Sequence, residues 1–185
     1  MFFSFVNFIP NDCYENVFQI DYNKLYKSGK RVILMDLDNT LIPYDIFNMN
    51  EKIEALFEEI KSIGFKLILI SNNSKKRMET FLNGYELPFI YKATKPFKRG
   101  FKKALKICNV GDKREIVVIG DQLMTDVWGA KRLKLDAILV KPIKKSTEKW
   151  YTRVLRFFER KALLKIKKND NETYLKIVSV IGEPK

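Results

Sequence analysis

Arg31–Thr40 reads RVILMDLDNT, and the point where its apolar run gives out decides the fold. Arg31–Asp36 is short, rich in branched residues and closed by an acid, the pattern of a strand buried on both faces. Lys66–Ser71 (KLILIS), Glu115–Gly120 (EIVVIG) and Asp136–Val140 (DAILV) share that form, and Pro88–Tyr91 is a shorter candidate. Between them, apolar residues fall at helical spacing: Ile53, Leu56, Phe57 and Ile60 in one stripe, Phe97, Phe101, Ala104, Leu105 and Cys108 in another. Asn83–Gly84 and Asn109–Val110–Gly111 read as helix stops. Strands alternating with helices predict an α/β fold built on a doubly wound parallel sheet.

The chain has 185 residues, 46% of them hydrophobic, enough for one domain with its own core. The expected organisation is an N-terminal arm packed on the core (1–30), the core itself (31–145) and a basic amphipathic C-terminal helix and tail (146–185). No apolar run approaches the roughly 20 residues that span a bilayer. The opening MFFSFVNF lacks a basic leader and a small-residue cleavage site, so it does not read as a signal peptide. Cys13 and Cys108 lie far apart and read as buried, reduced thiols of a cytoplasmic protein.

Two compositional facts narrow the chemistry. The chain has no histidine, which excludes a Ser-His-Asp triad, a phosphohistidine and a histidine zinc site. Its formal charge of +13 points to polyanions, whether nucleic acid, an anionic membrane surface or phosphorylated substrates.

In an open parallel sheet, ligands bind beyond the carboxyl ends of the strands. At those ends stand Asp36-Leu37-Asp38-Asn39-Thr40, Ser71-Asn72-Asn73, Lys95-Pro96 and Gly120-Asp121, with Asp126 five residues on. Such groups suit phosphoryl transfer. A carboxylate can attack phosphate if a cation offsets the repulsion, and Mg²⁺ prefers oxygen ligands. Asp36 and Asp121 offer carboxylate oxygens for it, and the Asp38 carbonyl a third ligand. Asp38 is placed to protonate the leaving oxygen and later deprotonate water. The Ser71 hydroxyl, the Asn72 N–H and the Lys95 ammonium suit the phosphate oxygens. Taken singly, each motif has a bland reading: a solvated turn, a helix cap, a surface lysine. Their joint arrangement argues for catalysis.

DLDNT, SNN, Lys95 and GDQLMTD, in that order, resemble the four motifs of the haloacid-dehalogenase-like (HAD) superfamily. The resemblance implies an HAD-like Rossmannoid fold, Asp36 as nucleophile, Asp38 as acid/base, and Ser71 and Lys95 on phosphate. It also implies Asp36, Asp121 and the Asp38 carbonyl on Mg²⁺, with Thr40 and Asp126 supporting the ligands from behind. Retention of the second acid of DxD points to phosphatases or phosphotransferases, since the dehalogenase branch lacks it. Phe8-Ile9-Pro10, DLDNTL, ISNN, Pro88–Pro96, VIGDQLMTDV and the helical pattern around Arg153–Arg160 further resemble the YqeG-type HAD-IIIA phosphatases. That family includes phosphatidylglycerophosphate phosphatases, which makes this lipid a candidate substrate. About 30 residues separate Asp38 from Ser71, room for one crossover helix, so no cap domain is expected.

Over Thr147–Lys168, Tyr151, Leu155, Phe158, Ala162 and Ile166 form an apolar stripe with Trp150, Val154 and Phe157 beside it, and Lys149, Arg153, Arg156, Arg160 and Lys167 a basic one. Such a helix packs on the sheet, lies in an anionic membrane interface, or does both, so peripheral contact with the inner face of the membrane through 147–168 is one expectation. Thr173–Ile181, rich in branched residues, is expected as a last strand. Two alternatives stay open: a soluble phosphatase for a nucleotide, sugar phosphate or phosphoprotein, and an RNA-binding protein with a vestigial site. The second lacks any RNP1, GXXG or zinc-knuckle motif, so nucleic acid is a disfavoured partner. The oligomeric state stays open as well.

Overall fold

The computed structural model describes residues 4–144, 146 and 150–183, with 150–154 and 156 described by their backbone alone. Six strands form one sheet in the order β1-β6-β5-β2-β3-β4. They are β1 (Asp12–Tyr14), β2 (Val32–Met35), β3 (Lys66–Ile70), β4 (Phe89–Ile90), β5 (Ile116–Gly120) and β6 (Asp136–Val140). Every pairing is parallel. Among the described residues, seven α-helices flank it: α1 (Tyr22–Lys27), α2 (Glu51–Ile63), α3 (Lys75–Leu82), α4 (Lys98–Cys108), α5 (Trp128–Lys131), α6 (Trp150–Asn169) and α7 (Asn171–Ile181).

The strands are apolar throughout because both faces are covered. Ile33 and Met35 of β2 point into one core with Phe57 of α2 and Phe81 of α3. Val32 and Leu34 point into the other with Phe101 of α4, Ile166 of α6 and Ile177 of α7. Both sequence-read helix stops are C-caps in the left-handed region, Asn83 at φ 44° and Asn109 at φ 47°. From β2 the chain builds outward through β3 and β4, then returns to lay β5 on the other flank of β2. The order therefore reverses between β2 and β5, and the crevice at their carboxyl ends is where such sheets bind ligands. Residues 36–50 hold only a loop, and α3 and β4 are the only elements between β3 and Lys95, so no cap is inserted.

Three expectations change. The segment before Arg31 is more than an arm, because β1 pairs with β6 at the sheet edge. Thr173–Ile181 is helix, not strand: Tyr174, Ile177, Val180 and Ile181 recur at helical spacing on the buried side, and the N-cap Asp170 accepts from Thr173 N–H at 3.0 Å. In α6 the buried side carries Glu159, Ala162, Leu163 and Ile166, whereas Phe158 is exposed. The side chains of Lys149, Trp150, Tyr151, Arg153, Val154 and Arg156 lie outside the described residues. Cys13 and Cys108 are free thiols, Cys108 buried and Cys13 half-buried.

Candidate active site

Asp36 is the first residue past β2, and its N–H still donates to Ile119 of β5 at 2.9 Å, so the sheet fixes its backbone. The chain then turns through Asn39, whose φ of 66° suits an asparagine, and closes where Asn39 N–H donates to Ile42 O at 2.6 Å. That turn presents Asp36 and Asp38 to one cleft of about 360 Å³, its open mouth included, which Ser71, Asn72, Lys95 and Gln122 also line. Lys95 Nζ donates to Asp36 Oδ1 at 2.5 Å and to Asp126 Oδ1 at 2.6 Å. Asp126 is held in turn by Gln122 N–H at 3.1 Å and the Thr125 hydroxyl at 3.2 Å, on the single π-helical turn Leu123–Val127. Gly120 makes room for it: a Cβ there would stand 2.3 Å from Asp126 Cγ.

Asp38 is gripped from the other side. The Ser71 hydroxyl and Asn73 Nδ2 each donate to its Oδ2 at 3.2 Å. Arg77 Nε and Nη2 each lie 3.1 Å from its Oδ1. Arg77 stands on α3 because Ser74 caps that helix, accepting from Arg77 N–H at 3.2 Å. Its remaining donors go to the carbonyls of Pro43 and Ile46, tying the loop after β2 to Asp38. Asn72 uses both ends of its side chain on the Lys95 backbone, accepting at 2.6 Å and donating at 3.0 Å.

Among the described residues, four buried acids (Asp36, Asp38, Asp121, Asp126) and two buried bases (Lys95, Arg77) are gathered at this cleft. Carboxylate oxygens of Asp36, Asp121 and Asp126 lie within 4.8 Å of one another. The Gln122 side-chain oxygen is buried and finds no hydrogen-bond partner among the described residues. Such a buried crowd of hard oxygen donors fits a divalent cation. Without one, burial pushes Asp36 up to about 7; Lys95 opposes this, and Asp126 and Asp38 add to it. Burial alone would lower the Lys95 ammonium, but Asp126 and Asp36 outweigh it and hold Lys95 above its ordinary value.

The sequence profile of the haloacid dehalogenase-like hydrolases matches residues 18–134, which spans β2 through α5 and every site residue named above. The chain belongs to the haloacid dehalogenase-like hydrolases. Within them it is 38% identical, over 161 residues, to the probable phosphatase YqeG of Bacillus subtilis (strain 168), covering 87% of this chain and 92% of that one. It is a phosphatase of the YqeG type. A crystal structure of an uncharacterized protein from Listeria monocytogenes serotype 4b superposes at TM-score 0.50 with 19% identity, over 62% of this chain and 84% of that one, a likeness of fold alone.

In this YqeG-type hydrolase all the sequence-read candidates meet at one sheet edge. Asp36, Asp38, Ser71, Asn72 and Lys95 line the cleft, Thr40 donates to Asp36 Oδ2 at 3.4 Å, and Asp121 and Asp126 stand beneath. Asp126 belongs to the same carboxylate cluster as Asp36 and Asp121, and it also takes the Lys95 ammonium. Sequence reasoning named Asn73 only as part of the SNN motif, with no role of its own, and missed Arg77 and Glu159. Arg77 stands three residues after the N-cap Ser74, which accepts from its backbone N–H while its side chain turns to Asp38. Glu159, buried on α6, accepts from Met124 N–H at 3.3 Å and so braces the turn that carries Asp126.

Proposed function

We propose that this HAD phosphatase is a Mg²⁺-dependent phosphomonoester hydrolase that works through a phospho-aspartate on Asp36, with phosphatidylglycerophosphate at the membrane surface as its substrate. The reaction rests on one observation above all: Lys95 bridges Asp36 and Asp126 inside a cleft where the buried carboxylates of Asp36, Asp121 and Asp126 cluster. Asp36, Asp121 and the Asp38 carbonyl would hold Mg²⁺, which supplies the charge that lets a carboxylate approach a phosphate dianion. An Asp36 oxygen attacks phosphorus, the bond to the substrate oxygen breaks, and that oxygen takes a proton from Asp38. A water then attacks the same phosphorus and yields its proton to Asp38, and Asp36 leaves as a carboxylate. Lys95, the Ser71 hydroxyl and the Asn72 N–H neutralise the phosphate oxygens during both steps. The Asn73 and Arg77 contacts orient Asp38 for its two turns, while the Ser71 hydroxyl turns from Asp38 to the phosphate.

The cleft is small and uncapped, so a terminal phosphate fits while the body of the substrate stays outside, as a lipid held in a bilayer requires. Purified protein with Mg²⁺ should release phosphate from a soluble aryl phosphate and, far faster, from phosphatidylglycerophosphate in mixed micelles. Asp36→Asn should lower turnover at least about a thousandfold while the protein stays folded. Unchanged turnover in that variant refutes the mechanism. Equal rates on a soluble phosphate panel, or no accumulation of the lipid in depleted cells that lack a redundant enzyme, refute the substrate.

A further inference from the structure

We propose that the rim of the cleft is a membrane-docking surface, which seats the enzyme on a bilayer rich in anionic phospholipid with the cleft facing the headgroups. The proposal deepens the lipid-substrate reading and rests on it for its purpose. Its evidence is separate, and lies in which apolar side chains the fold leaves in water. Ile46, Phe47, Phe97, Ile143, Phe157 and Phe158 are all exposed, Phe97 by 64% and Phe47 by 57%. Each belongs to a segment tied to the mouth. The Ile46 carbonyl accepts from Arg77, and the Phe47 ring lies 5.0 Å from the Arg77 guanidinium. Phe97 is two residues past Lys95, and Ile143 N–H donates to the carbonyl of Asn39, next to Asp38, at 3.0 Å. Leu155 lines the cleft, and Phe157 and Phe158 follow it on α6. Elsewhere, exposed apolar residues such as Val6, Phe18, Ile107 and Leu175 stand singly on separate elements, as on any soluble surface.

Charge selects the occupant. Lys98, Arg99 and Lys161 are exposed on the same segments, exposed Lys76 lines a groove with Phe47, and Lys161 Nζ lies 4.8 Å from the Phe157 ring centre. Ammonium groups beside exposed rings suit a bilayer interface, where the ring enters the acyl boundary while the cation stays among phosphates. RNA would reward the lysines and stacking aromatics, but it gives nothing to the aliphatic side chains of Ile46 and Ile143. The lack of a cap leaves this rim uncovered, and a phosphate at headgroup height is reached only if the mouth rests there.

The test is co-sedimentation at ~0.1 M salt with phosphatidylcholine vesicles, with and without phosphatidylglycerol. The protein should partition at least about tenfold more onto the anionic vesicles. Phe97→Ser, Ile143→Ser and Phe157→Ser combined should lower that partitioning about tenfold or more, while Leu175→Ser on α7 leaves it unchanged. The triple variant should keep the wild-type turnover of a soluble aryl phosphate, which shows its fold and site intact. Wild-type protein left in the supernatant overturns the proposal, as does a triple variant that sediments like the wild type. So does protein that ignores vesicles and instead binds single-stranded RNA with steep salt dependence. The two readings fail separately: a wild type inert towards every phosphate would end the lipid-phosphatase reading, whereas sedimentation alone decides the docking.

Discussion

Burial, and the Asp126 and Asp38 carboxylates beside it, push Asp36 up to about 7 against the pull of Lys95, from an ordinary value of 3.8. A raised carboxyl binds its proton more tightly folded than unfolded. Asp36 therefore adds stability to the metal-free protein that is fully present below about 3.8 and is lost as pH rises through about 7. A cation ligated by Asp36 must displace that proton. With chelator present, wild type should melt progressively lower than Asp36→Asn as pH rises from 4 to 7, with the gap constant above that. Mg²⁺ should narrow the gap at pH 8 and do little at pH 5. A gap independent of pH would mean that Asp36 is not the group holding the proton. Asp36 and Asp121 were legible because each stands where an apolar run stops, and Asp38 and Asp126 because they follow these at short spacing. Arg77 was not, because a helical arginine in a lysine-rich chain carries no mark in the sequence of being buried on Asp38.

At the scale of elements, strand ends and helix stops were readable because they depend on local chemistry: Asn83 and Asn109 enter the left-handed region that branched residues avoid. What required the fold was how one element sits against another. α4 passes so close to the Lys95 loop that a Cβ on Gly100 would stand 2.3 Å from the Ala93 carbonyl oxygen, a backbone atom that cannot swing aside. Gly100 N–H also donates to that oxygen at 3.1 Å. Gly100→Ala should therefore lever the loop away from α4, costing roughly 1–3 kcal/mol. Because Lys95 rides on that loop, turnover should fall with stability. A denaturant midpoint lowered at constant slope, together with a reduced kcat, checks both parts. A stable, fully active variant would mean the loop yields freely. The last helix shows the opposite failure: its branched residues suggested a strand, but the 3.6-residue period of Tyr174, Ile177 and Ile181 outweighs propensity once there is a face to cover.

For the molecule as a whole, the question is where the catalytic unit ends. The sequence suggested a core of 31–145 followed by a basic amphipathic helix and tail, whose apolar stripe could pack on the sheet, meet a membrane or do both. The edge strand β1 was invisible, being three half-buried residues, DCY, that only pairing with β6 defines. In the structure Leu163, Ile166, Tyr174, Ile177, Val180 and Ile181 are buried in the same core as Leu34 and Val118 of the central strands. At about 1.5–3 kcal/mol per large side chain, removing that cover forfeits roughly 10 kcal/mol or more, against a total stability of about 5–15 kcal/mol for an ordinary domain. It would also bare one face of the sheet, a surface large enough to drive aggregation. It would take away Glu159, which braces the turn bearing Asp126, and so disturb the site even in molecules that stayed folded. A chain cut after Ser146 should therefore be insoluble, or melt well below the full chain, and lack phosphatase turnover. If the truncated protein instead stayed monomeric with unchanged melting and activity, α6 and α7 would be an appendage after all, and their buried face would have no energetic weight.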